Sequence, residues 1–151
     1  MLSESIRHAA LYLIVLPLFA AAQDPVQEPP LALTAKDAGI KRGPCPDFMP
    51  KGCELAVVHG DPAKPNADVL FRVPPGSKIP RHRHTSAERM VLLSGNLTVT
   101  YDAQKPVTLK PGTYAYGPAK LAHAAVCAKG DAPYVLFIAF EAPVDALPAA
   151  D

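Results

Sequence analysis

Within seven positions of this 151-residue chain stand three side chains of types that bind metal ions: His82, His84 and Glu88. On a β-strand, alternate residues share a face, with Cα atoms about 7 Å apart. Two imidazoles so placed converge on one ion while Arg83 turns away. Glu88 follows a turn at Thr85-Ser86. From the adjacent strand it can return a carboxylate oxygen to the same point. Such a set suits Fe, Mn, Ni, Cu or Zn and by itself selects none of them. Two solvated histidines at a strand end would show the same spacing, so the pair alone leaves both readings open.

The wider pattern is more specific. Gly76, five residues, His82, one residue, His84, three residues, Glu88, six residues and Gly95 follow in order. The stretch GSKIPRHRHTSAERMVLLSG resembles the first motif of the cupin family, without departure. A second cupin motif is expected downstream, and Gly112, Pro118 and His123 stand in its register within GTYAYGPAKLAHAAVC. Lys120 replaces that motif's second glycine and Cys127 its asparagine; neither position supplies a metal ligand in the family. The run HGDPAKPNADVLFRVPPG is also similar to that of small single-domain bacterial cupins. The resemblance implies an all-β fold, a single cupin double-stranded β-helix or jelly-roll-like barrel. It implies one divalent transition metal ion held by His82, His84, Glu88 and His123, with positions left open for a small-molecule ligand or substrate.

Around such a centre the expected pocket lining is largely apolar: Met90, Leu92, Phe137 and Ala139. Tyr114 and Tyr116 share a strand face ahead of the second motif and can line the pocket too, although tyrosine in a strand more often serves packing. Arg89 and Lys78 flank the first motif, as solvated charges or as attractants for an anion. His59 precedes a Gly-Asp-Pro turn and is expected outside the site. Cys127 shares parity with His123 but lies about 13 Å along the strand, too far to ligate the same ion.

The elements that must position these residues are short runs rich in β-formers, separated by turn residues. They fall at 54–60, 67–73, 79–84, 88–93, 97–101, 107–110, 113–116, 122–127 and 134–141. Eighteen prolines and nine glycines agree with many turns and few helices. The last run is apolar at both parities, so both its faces should be covered, by a homodimer partner or by the N-terminal leader.

Residues 1–22 read as a secretory signal, with Arg7 ahead of the apolar run AALYLIVLPLFAAA and small residues at 20–22. The run is short for a membrane span, so no stable anchor is expected after cleavage. A flexible leader over 23–44 and a cupin domain over 45–146 complete the expected organisation, in a secreted or periplasmic protein. In that compartment Cys45 and Cys53 can close a disulfide around PDFMPKG, or remain two free thiols. Cys127 reads as a buried, inert thiol. A net charge of +1 without a basic cluster gives no footing for nucleic acid. Two functions stay open: a metal-dependent enzyme, with dioxygenase-like oxidation foremost, and a non-catalytic small-ligand- or metal-binding module.

Overall fold

The structure is a computed structural model and describes residues 28–130 and 132–150. The expected signal segment and the first part of the expected leader lie outside these residues. Two compact units divide the chain at Ala32/Leu33. The described part of the first, residues 28–32, is irregular and exposed. No helix among the described residues is long and apolar enough to cross a membrane.

The second unit holds eleven strands among its described residues: β1 (Gly43–Pro44), β2 (Glu54–His59), β3 (Asp68–Val73), β4 (Lys78–Arg83), β5 (Glu88–Ser94), β6 (Leu97–Tyr101), β7 (Val107–Leu109), β8 (Tyr114–Gly117), β9 (His123–Cys127), β10 (Tyr134–Phe140) and β11 (Leu147–Pro148). They form two antiparallel sheets, β1-β2-β3-β10-β5-β8 and β11-β4-β9-β6-β7. The architecture is the all-β double sheet expected from the strand series. Two elements extend it past the expected limits of 45 and 146: β1 pairs with β2, and β11 pairs with β4.

The two sheets face each other across one apolar core. Met90, Leu92, Leu136, Ile138 and Phe140 meet Ile79, Leu97, Val99, Ala125 and Cys127. Strand periodicity then decides every neighbour. Glu88 pairs with Phe140, Met90 with Ile138, and Leu92 with Leu136. Between Ile79 and His82 the β4 ladder slips against β9, so three steps on β4 match two on β9. This bulge brings both Ile79 and His82 inward and sets the parity of the His-Arg-His run.

Turn chemistry agrees with this layout. Gly95, between β5 and β6, has φ +79°, and a Cβ there would lie 2.6 Å from the Tyr134 ring. Only glycine meets both demands. On the outer face of the larger sheet, Ala56, Leu70 and Val135 are buried beneath Ala35, Ile40, Val58 and Phe137. Residues 33–44, expected as flexible leader, therefore include the cover on the outer face of β10.

Cys45 and Cys53 are joined by a disulfide with Cα atoms 5.6 Å apart, and Cys127 is a buried free thiol. Thiol titration of the unfolded, unreduced protein should accordingly find one free cysteine; three would contradict the pairing.

Candidate metal centre

His82 lies on β4 directly across from His123, the first residue of β9. His84 stands just past the end of β4, and Glu88 opens β5. All four are buried. The imidazole ring centroids are 4.3 Å apart for His82 and His123, 5.0 Å for His82 and His84, and 5.4 Å for His84 and His123. One nitrogen from each ring falls within 4.8 Å of the other two, close enough for one ion to be shared. Glu88 bridges the group: Oε2 is 3.5 Å from His84 Nε2 and Oε1 is 3.6 Å from His123 Nε2.

The backbone fixes which nitrogen faces inward. His82 Nδ1 sits 2.8 Å from the Pro80 carbonyl, and His123 Nδ1 3.4 Å from that of Leu121. His84 Nδ1 is bonded to the Asp145 carbonyl. A carbonyl only accepts, so each Nδ1 carries the proton and each Nε2 keeps its lone pair for the interior. Burial, foremost, pulls the histidine pKa values down, to about 4 for His82 and about 3 for His123. Burial also raises that of Glu88, against the opposing pull of His84. Glu88 Oε1 is buried without a hydrogen-bond partner. Neutral imidazole nitrogens around an unsatisfied carboxylate oxygen fit a divalent transition ion.

The cluster forms one wall of a cavity of about 190 Å³ between the sheets. Leu55, Phe71, Ile79, Met90, Leu97, Val99, Leu136, Ile138 and Phe140 supply most of the remaining wall. Cys45, Pro46 and Met49 bring the disulfide loop against it, and Val144 and Asp145 bring the C-terminal segment.

Residues 69–140 match the cupin domain model. These residues form a cupin domain. Comparison with curated proteins finds no match. Among solved structures, this cupin is similar to the polyketide cyclase RemF from Streptomyces resistomycificus, with TM-score 0.63 and 17% identity over 80% of this chain and 87% of that one. It is also similar to an RmlC-like cupin from Shewanella frigidimarina, with TM-score 0.57 and 17% identity over 70% and 86% of the two chains. A third is the DMSP lyase DddQ from Ruegeria pomeroyi, with TM-score 0.60 and 16% identity over 72% of this chain and 60% of that one. The cupin spans less than two thirds of the two DMSP lyase chains it matches, 63% and 60%. Identities this low establish the shared fold alone.

Several expected lining residues are placed elsewhere. Met90 lines the cavity, and Leu92 faces the same interior but is fully buried in the core beyond it. Phe137 and Ala139 pair with Val91 and Arg89 and so face outward; Leu136, Ile138 and Phe140 are the inward set. Tyr114 and Tyr116 are 60% and 52% exposed. Opposite inward-facing Glu88 and Met90 stand Gly117 and Ala115, which leaves both tyrosines outside. Arg89 pairs with Glu141, and neither Arg89 nor Lys78 lines the cavity. His59 is half exposed beside Asp68, away from the cluster.

The sequence reading missed Tyr101 and Asp145. Tyr101 pairs with His123 across β6 and β9, and its parity with Leu97 and Val99 was a usable signal. Its phenol is pushed above the ordinary range, by burial first and then by Glu88, and so keeps its proton. Asp145 holds His84 from a segment without periodicity, where no local signal existed. The second-motif departure Lys120 has φ +64°, and its amide donates to the His84 carbonyl at 2.8 Å. A left-handed conformation costs a side-chain-bearing residue about 1–2 kcal/mol. The glycine it replaces would avoid that cost.

Substituting His82, His84, Glu88 or His123 by Ala should each weaken metal retention by at least about tenfold, since loss even of outer partners costs that much. His59→Ala should leave metal content unchanged. If His59→Ala loses the metal while His123→Ala keeps it, the fourth ligand is misassigned. The metal-free protein should also lose stability as pH falls from 6.5 toward 4. Both histidines have depressed folded values, so the unfolded chain binds more protons there. Glu88, with its pKa raised, acts oppositely, so the slope should fall below about 2.7 kcal/mol per pH unit, the value that two histidines alone would set. A flat melting temperature across that window would contradict the burial argument.

Proposed function

We propose that this cupin is an exported protein that holds one divalent transition metal ion, Fe, Mn, Ni, Cu or Zn, through His82, His84, Glu88 and His123. It acts there as a metal-dependent enzyme on a small organic molecule, with dioxygenase-like oxidation as the reaction class. One observation carries this reading: three Nε2 lone pairs are turned by backbone acceptors into a single apolar chamber beside Glu88. Four protein ligands leave up to two positions open on a six-coordinate ion. The bound ion would supply Lewis acidity and, for a redox metal, a site for dioxygen. The chain's own residues supply the rest. Apolar walls exclude water, the carbonyl contacts hold the imidazoles in one tautomer, and Glu88 neutralises part of the ion's charge.

The barrel is shared with proteins named as a polyketide cyclase, DMSP lyases and an oxalate decarboxylase, which favours a catalytic use of the cavity. Manganese(II) centres are named for the Bacillus subtilis oxalate decarboxylase, which keeps manganese among the candidate ions. Hydrolysis fits less well. The second carboxylate of the lining, Asp145, accepts a hydrogen bond from the Thr85 amide, and among the described residues no histidine beyond the three reaches the cavity. That scarcity of proton-moving groups also supports the second reading, a non-catalytic binding module.

Metal analysis of protein from its native compartment, followed by nitric oxide titration of the Fe(II)-loaded form, separates the two. An open redox site should give the spin-3/2 nitrosyl signal. Stoichiometric zinc, with no nitrosyl signal from the iron form, would favour the binding module. Export is supported by the apolar run ending at Ala22 and by the disulfide, which suits an oxidising compartment. Sequencing of the mature protein should begin near Gln23; recovery of intact Met1 from the cytoplasm would refute export.

A further inference from the structure

We propose that the Tyr101 hydroxyl positions the ligand of this cavity, and that the cavity takes small molecules with an apolar body and one monoanionic oxygen head, such as a monocarboxylate. The inference rests on the metal-binding reading above. Among the described residues three buried side-chain polar atoms lack a hydrogen bond, and one of them, the Tyr134 hydroxyl, lies away from the cavity lining. The starting point is the other two, Glu88 Oε1 and the Tyr101 hydroxyl. Both crowd the bare backbone of Gly117, where a Cβ would come within 2.7 Å of each. The Tyr101 ring is held in place, tilted 38° against His123 at a centroid distance of 4.8 Å.

The two atoms have different needs. A carboxylate oxygen is satisfied by a cation, whereas a phenol O–H is satisfied only by an acceptor. A metal ion would therefore answer Glu88 and leave the Tyr101 hydroxyl, on a residue that lines the cavity, an unmet donor packed against Gly117 beside Glu88. Buried donors are almost always met. The acceptor then comes from whatever molecule occupies the space beside Glu88.

Charge narrows the class. The cavity lining contains no Lys or Arg. A divalent ion bound to Glu88 keeps one positive charge, which one monoanionic head cancels. A second negative charge would meet no cation among the lining residues and would be repelled by Asp145, which is one of them. Leu55, Phe71, Val99, Leu136 and Ile138 offer only apolar surface to the remainder of the molecule.

The test loads the full mature protein and its Tyr101→Phe variant with cobalt(II) and follows the visible spectrum. The probes are butanoate, succinate and imidazole. The parent should bind butanoate saturably and succinate at least about tenfold more weakly. Tyr101→Phe should keep the cobalt stoichiometry, the spectrum and the imidazole affinity, yet bind butanoate about ten- to a hundredfold more weakly, the loss expected for a hydrogen bond to a charged acceptor. Imidazole gives the hydroxyl no charged oxygen to hold, so it separates ligand positioning from a structural role. Unchanged butanoate binding, an equal loss for imidazole, loss of cobalt from the variant, or succinate binding as tight as butanoate overturns the proposal while the metal reading stands. A parent that takes up no cobalt overturns the metal reading and this proposal with it.

Discussion

Three imidazoles and a carboxylate buried in an apolar barrel form an arrangement that water cannot relieve. Transfer of such groups from water is unfavourable unless each finds a partner, and a carboxylate is the most demanding of the four. The surrounding structure answers that demand from two sides. Backbone carbonyls of Pro80, Leu121 and Asp145 take the outward-facing Nδ1 atoms. The inward-facing nitrogens and Glu88 are left pointing at one another, a geometry that a shared cation completes. The bulge in β4, the bare backbone of Gly117 and the C-terminal return of Asp145 all serve to hold that cluster together.

The strand series and the ligand spacing were legible because both are local. His82, His84 and Glu88 lie within seven positions of one another, His82 on β4 of one sheet and Glu88 on β5 of the facing sheet, joined by a short turn that nearly fixes their relation. Which face of a more distant strand turns inward is a matter of pairing, and a strand apolar at both parities carries no trace of it. β10 is such a strand, and Phe137 and Ala139 were assigned to the wrong side of it for that reason. On β8 the large aromatic residues seemed the natural lining. The cluster instead needed the small ones, because Glu88 and Tyr101 already fill the space against Gly117.

The departures from the second cupin motif have separate physical accounts. At position 120 the backbone keeps the left-handed conformation suited to glycine although lysine now occupies it. The fold therefore imposes the turn, and its amide bond to His84 shows what the turn is for. At position 127 a thiol sits fully buried in the core, where burial raises its pKa and holds it protonated. Asp145 belongs to neither motif. It reaches His84 across a sequence separation of 61, and that coupling exists only once the chain has folded back along β4.

The distribution of the four ligands along the chain has a consequence for when the centre can exist. His82, His84 and Glu88 belong to one short stretch that passes from β4 to β5, but His123 arrives on β9, after β6, β7 and β8. Loops of that length close slowly relative to a hairpin, so the complete donor set assembles late in folding. Before then the chain presents at most three candidate donors on one short segment. An ion bound there would be chosen at the moment and in the place where the two sheets come together. Its identity would then reflect what that surrounding pool supplies, as much as any preference built into the donors.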